Sequence, residues 1–306
     1  MNYISKPQFF KLIFCSAVAS SLVAAEKTET APPSADELHQ ELEQAQRDFE
    51  YAQKLFNPYY AGPLLAPSPH NVGRHHINLQ PYLYFYDRYG SYTNSGHMES
   101  ADHNTYELNP LSVFQVGLTD WMDLTFVPGV QMSWNHGAFY GHPQDLPIQL
   151  GFQICKEKPH YVPAIRLVFG ETLPCGHYDH LSPEKNGTDA TGAGAYQFTS
   201  NLILGKVFWW SSLHPINFRL SINYAISSIV KVESFNAYGG SYGTKGKVRP
   251  GNLLSLDLGL EVSLTQKWVF ATDVVYSYQK KSKFHGNPGY TLDGSPVSNG
   301  VGISES

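Results

Sequence analysis

The sequence predicts an all-β protein: an antiparallel up-and-down β-barrel of the membrane-spanning kind, preceded by one short helix. Three observations lead there. Apolar and polar residues alternate with period two over long stretches. Short and long connections alternate between those stretches. Tryptophans sit at their ends. Composition removes the competing classes. Only 15% of the 306 residues are charged, against about 25% in an ordinary soluble domain. Aromatics make up 14%, with 20 tyrosines, so the chain is not of the disordered type. The formal net charge of −5 argues against nucleic acid as a partner. No apolar run approaches the roughly 18 residues of a membrane helix.

The first element is an address. Lys6 and Lys11 precede an apolar stretch from Leu12 to Ala19 that continues to Val23-Ala24-Ala25 before Glu26. A basic start, a short apolar core and small terminal residues describe a cleaved secretory signal peptide, with cleavage expected after Ala25. Residues 26–75 then form an N-terminal segment expected in the periplasm. Within it, Leu38, Leu42, Ala45, Phe49, Ala52 and Phe56 recur at spacings of four and three, which predicts a helix over residues 35–56. Ser34 and Glu37 have the spacing of a capping box, and Asn57-Pro58 ends the helix. About three heptads are marginal for an isolated helix, so the seam either rests on the protein or supports self-association.

From residue 76 onward the period is two. Leu254, Leu256, Leu258, Leu260, Val262 and Leu264 fall on one face of a strand, and Ser255, Asp257, Gly259, Glu261 and Ser263 on the other. Residues 217–226 and 148–154 repeat the pattern. Residues 122–134 read as one strand, from Met122 to Trp134. Weaker versions lie at 77–86, 108–118, 162–173, 196–207 and 268–278. This makes about nine strands of about 9–13 residues, the length of tilted transmembrane strands and longer than the usual five or six. Thr119-Asp120-Trp121 and Thr265-Gln266-Lys267 are tight turns, whereas residues 87–107, 174–195 and 232–251 are long and polar. Segregated loop lengths are a barrel property. Trp121, Trp134, Trp209, Trp210 and Trp268 sit at strand ends, where headgroups of an outer-membrane lipid bilayer would lie. Cys155 and Cys175 flank one strand at opposite ends and are expected to be free thiols.

Several segments resemble the outer-membrane transporters associated with the meta-pathway of phenol degradation. Gly117-Leu118-Thr119-Asp120 with Leu124, Phe126 and Val130 is similar to a turn and strand of that family. Leu173-Pro174-Cys175-Gly176 resembles a strand end that carries Thr where this chain has Cys175. Gly187-Thr188-Asp189, Gly192-Ala193-Gly194, Leu264-Thr265 and Gly62-Pro63-Leu64-Leu65-Ala66-Pro67-Ser68 are further points of likeness. The resemblance implies a barrel in the cell outer membrane that passes small, often hydrophobic, solutes, with no catalytic residues; with about nine strands visible and one to three missing, about 10–12 strands are expected. The chain lacks the aromatic last strand of the family. An odd strand count does not close a single-chain barrel, so either the record is truncated at its C-terminus or a strand lies unseen, with 228–236 the candidate.

Chemistry is expected to be sparse. His177, His180, His70, His75 and His76 offer nitrogen ligands, but no third ligand is fixed by spacing, so neither metal nor cofactor is expected. No nucleophile motif is present, and the chain is not read as an enzyme. The polar faces place Asp123, Gln149, Gln153, Arg166, Arg219, Asn223, Asp257, Glu261 and Asp273 toward a lumen. Two readings of that set stay open: a self-satisfied network that plugs a narrow barrel, or a mixed-charge channel wall leaning toward cations and neutral solutes. A structural or surface-exposed barrel without transport is the alternative function.

Overall fold

The computed structural model describes residues 34–55, 62–63, 65–93, 95–158, 162–209, 214–265 and 267–297. The predicted signal peptide, Phe56 and Trp210 lie outside these. The order of elements is α1 (Ala35–Leu55), β1 (Ile77–Tyr92), β2 (Met98–Gly117), β3 (Met122–Phe126), β4 (Val130–Asn135), β5 (Ala138–Pro143), β6 (Leu146–Cys155), β7 (Ala164–Leu173), β8 (Gln197–Trp209), β9 (Pro215–Ser227), β10 (Val230–Glu233), β11 (Lys245–Arg249), β12 (Leu253–Ser263), β13 (Val269–Gln279) and β14 (Lys283–Asn287).

The α1 helix is polar on most of its surface and is laced by side-chain bonds one turn apart, Gln44 to Asp48 and Arg47 to Glu43. Its first turn closes with the Leu38 amide donating to the Ser34 carbonyl at 2.9 Å. Leu38 and Leu42 of the seam are exposed. The side chain of Glu37 lies outside the described residues.

All strand pairing among the named strands is antiparallel. The main sheet runs β1-β2-β3-β6-β7-β8-β9-β12-β13, and β4 and β5 extend it beside β2. This is an up-and-down meander, with tight turns and long connections between neighbouring strands. The two tight turns share one chemistry. Leu118 and Thr119 both donate to the Met122 carbonyl, and Leu264 and Thr265 both donate to that of Trp268. In each turn the threonine hydroxyl accepts a later amide, Trp121 in one and Trp268 in the other. Among the described residues the sheet does not close: β1 and β13 each pair on one side only. It is nonetheless curled. Eight strand spacings separate β1 from β13, about 38 Å if flat. Yet Tyr84 of β1 interacts electrostatically with Asp273 of β13, and Tyr82 with Arg219 of β9.

Three expectations need correction. The stretch 122–134 is two strands, because Pro128 lacks the amide that a continuous ladder needs. The carbonyls of Pro128 and Gly129 instead accept bonds from Ser112 and Gln144, and β4 resumes one residue later. The supposed loop 87–107 is mostly strand. The β1–β2 hairpin continues through a register shift between Arg88 and Gly90 and turns only at 93–97. The stretch 228–236 does hold a strand, β10, but it pairs with β11, and β11 with β14, in a separate three-stranded sheet.

That small sheet organises the loop end. Val230, Val232 and Val248 pack with Ala195 into a buried cluster against Tyr178, Tyr238 and Phe284. Loop 174–196 is tied to it through the Leu181 amide on Phe235 and the Ala237 amide on Tyr178. Asp145 receives the Gly176 and Ala193 amides. Burial, with Asp145 and Tyr178 nearby, pushes the Tyr238 phenol up to about 12, so it stays protonated and donates to the Ala193 carbonyl at 2.7 Å. Val248→Ala is expected to loosen this cap by about 1–3 kcal/mol and to expose 174–196 to protease, with the main sheet's circular dichroism unchanged.

Candidate functional site

The main sheet is apolar outside and polar inside. Leu79, Leu83, Phe85, Phe169, Phe198, Phe270 and Tyr276 are exposed on the convex side, with Leu83 at 68%. On the concave side Asp123 is 0% exposed and Glu261 1%.

Of the nine residues predicted to share the polar face, Asp123, Gln153, Arg166, Arg219, Asp257 and Glu261 are buried, and Gln149, Asn223 and Asp273 are half-buried. They form two charge centres. Arg166 on β7 donates to Asp123 on β3 at 2.6 Å, across the intervening β6. It can do so because β6 carries Gly151 at that point. A Cβ there would stand 2.3 Å from Arg166 Nη2 and 2.5 Å from Asp123 Oδ1. The second centre joins Arg219 on β9 to Glu261 on β12 at 3.0 Å, with Asn217 donating to Glu261 at 2.7 Å. Gln115 supports the first centre by donating to Asp123 at 3.0 Å. A third pair, Lys206 with Glu157 at 3.1 Å, stands at the tight-turn end.

Residues 62–63 and 65–73 lie across this face as a strap. Sequence reading placed it before the barrel; the structure makes it part of the sheet's inner layer. Pro63, Ala66 and Pro69 are buried, at a spacing of three. That is the period of extended polyproline geometry, which Pro63, Pro67 and Pro69 favour while supplying no amide to satisfy. The buried residues meet glycines. A Cβ on Gly259 would come within 2.8 Å of both Pro63 and Ala66, and one on Gly205 within 2.3 Å of Pro69. Gly205 and Gly259 flank Arg219 in register on either side, so glycine, arginine and glycine make a seat across β8, β9 and β12.

Several backbone groups of the strap bond to the predicted residues. The Gly62 amide donates to Glu261 at 3.0 Å, and those of Leu65 and Ala66 to Asp273 at 3.1 and 3.2 Å. Arg219 donates to the Ala66 carbonyl and Arg166 to that of Ser68. Gln153 clamps the strap in both directions, accepting the Asn71 amide at 2.9 Å and donating to the Pro69 carbonyl at 3.1 Å. The Val72 amide ends the series on Asp123 at 3.1 Å. Beyond it, His75 and His76 bond to Gly117 of β2 and lead into β1.

Other predicted positions do not join this site. Trp121 and Trp268 are exposed at the tight-turn end, 55% and 58%. Trp134, against Phe139 at 4.9 Å, marks the loop end, and Trp209 is half-buried at the end of β8. His180 faces Asp179 and Glu233, while His177 is held by Thr191 and Asp189. Among the described residues no three His, Cys, Asp or Glu side chains converge as a metal site. Cys155 and Cys175 are free, at opposite ends of β7. No protein-family model matches the chain, and no curated protein matches it.

Two outcomes follow from this geometry. Arg166→Met leaves Asp123 buried without its cation and is expected to cost about 3–5 kcal/mol in urea unfolding. Adding Asp123→Leu to it should recover most of that loss. His70, on the strap, is exposed at the surface. Partial desolvation lowers its imidazole from the ordinary 6.5; Glu157 opposes this, and Arg219, Arg166 and Lys156 add to it. The seated strap therefore favours neutral imidazole. Its hold is full above pH 6.5 and weakens as pH falls through the lowered value. Protease access to the strap should rise on acidification, and His70→Gln should remove that part of the dependence.

Proposed function

We propose that the chain is an outer-membrane β-barrel protein that passes small solutes, hydrophobic ones included, passively along its concave face. The observation that carries this reading is the inverted amphipathicity of the nine-strand meander. A face holding Asp123, Arg166, Arg219 and Glu261 in buried pairs backs onto one where Leu83, Phe85 and Tyr276 are exposed. Exposing that apolar surface to water is unfavourable by about 25 cal/mol per Å², and lipid removes the cost. Tryptophans exposed at both ends of the strands supply interfacial anchors. The turn motifs shared with the phenol meta-pathway transporters support the same assignment, as does the basic, short-cored N-terminus for export.

The ordered loop end favours a second reading, a surface-exposed barrel without transport. Its buried Val232 and Val248 make it a folded cap, and such a cap can present a surface to neighbouring cells. Refolded full-length protein in planar bilayers separates the two. Discrete conductance steps are expected for a transporter, and a silent barrel that binds cells would replace that reading with the second. Membrane insertion itself has a separate readout. Trp121 and Trp268 fluorescence should be quenched by lipid brominated near the headgroup, and a protein that stays soluble without lipid or detergent would defeat both readings.

A further inference from the structure

We infer that Asp257 and Asp273 bind a calcium ion on the concave face, where β9, β12 and β13 lie side by side. The site stands on the geometry of the wall and does not rest on the transport reading.

Asp257 is 8% exposed, and its buried Oδ1 has no hydrogen-bond partner among the described residues. The register explains why. Its neighbours across the ladders are Ser221 on β9 and Val275 on β13. Ser221 is buried and donates its one proton to Asn201 at 2.9 Å, so what it has left to offer is oxygen lone pairs. Val275 has no donor to give. Two residues along β12, Gly259 has Arg219 on one side and Asp273 on the other. Arg219 turns away, pairing with Glu261 and donating to the Ala66 carbonyl. Its Nε is itself buried without a partner, so no bond joins it to Asp257. The charge that acts on Asp257 is that of Asp273, of the same sign.

A buried carboxylate with neither donor nor cation is costly. Arg219 stands here against Glu261, Asp273 and Asp257, which leaves two negative charges, and a divalent ion cancels both. The donors are all oxygen: two carboxylates and the Ser221 hydroxyl. Such a set suits calcium or magnesium rather than zinc or copper. Burial decides between the two. An ion must shed water to reach Oδ1 of Asp257, which magnesium does reluctantly, whereas calcium accepts six to eight oxygens in loose geometry. Asp273 has the capacity to share. Its two oxygens accept the Leu65 and Ala66 amides at 3.1 and 3.2 Å, and a carboxylate offers about four lone-pair sites. Asp273 is half-buried, so its side of the pair is open to an arriving ion. The bound ion would then sit against the carboxylate that holds the strap.

Terbium, a luminescent stand-in for calcium, tests the site on refolded full-length protein in non-ionic detergent, stripped beforehand with EDTA. Emission excited through tyrosine is expected, since Tyr84 lies within electrostatic reach of Asp273. Calcium chloride should displace it with a dissociation constant of about 10⁻⁴–10⁻³ M, and magnesium chloride at least about tenfold less readily. Asp257→Asn should weaken terbium at least about tenfold, and Asp273→Asn is the second variant should the first misfold. Urea unfolding separates an ion from a proton on Asp257. With an ion, calcium raises the wild-type midpoint and leaves that of Asp257→Asn where it was. A wild-type midpoint that calcium does not move means that Asp257 is held as the neutral acid, and overturns the site. Emission that survives at full affinity in both variants places the ion elsewhere and overturns it too. Equal displacement by magnesium overturns the choice of calcium. Bilayer conductance is a separate reading, so a silent barrel that binds calcium defeats transport and leaves this site standing.

Discussion

Buried charge on one face of a sheet must find partners within the sheet, and that requirement arranges the rest of this molecule. Arg166 reaches Asp123 only because the strand between them presents Gly151. Arg219 has Gly205 and Gly259 beside it in register. Glycine on the inner face is therefore not idle space. One clears the line between two charges, and two more make the floor on which the strap lies. A β-branched residue at any of these points would suit the strand better in isolation, so local propensity gives way here to the geometry of the charges.

The strands were legible because half-burial imposes a period of two whatever lies on either side. The alternation of Leu254 to Leu264 against Ser255 to Ser263 fixed β12 to within a residue at each end. The polar residues of the inner face were legible for the same reason: Asp123 meets Arg166, and Arg219 meets Glu261, on one side of the sheet. What alternation cannot register is a residue that breaks a ladder without breaking the pattern. Pro128 occupies an apolar position in good order, and its missing amide shows only in the pairing. The outer part of the β1–β2 hairpin escaped because beyond Asp87 both faces are polar, which removes the contrast that defines a strand in sequence.

The strap was missed for a different reason. Its signal is a period of three, Pro63, Ala66 and Pro69, set among prolines that read as a linker. The complementary signal was the row of inner-face glycines, but only the register aligns Gly205, Arg219 and Gly259, and register is a property of three strands together. The small sheet of β10, β11 and β14 unites residues 230–233, 245–249 and 283–287. Its strands are too short for alternation to distinguish from loop, and their partners are remote in the chain.

The two free cysteines have a further consequence. They bracket β7, Cys155 close to its start across the connection from β6 and Cys175 just past its end. A strand of ten residues is about 33 Å long, comparable to the thickness of a bilayer's hydrocarbon core. A chain inserted with β7 across a membrane therefore holds one thiol near each surface, the more exposed of them on the side of the folded loops. In such an insertion, the order in which the two sulfurs meet an impermeant reagent would record which way the chain lies in the membrane.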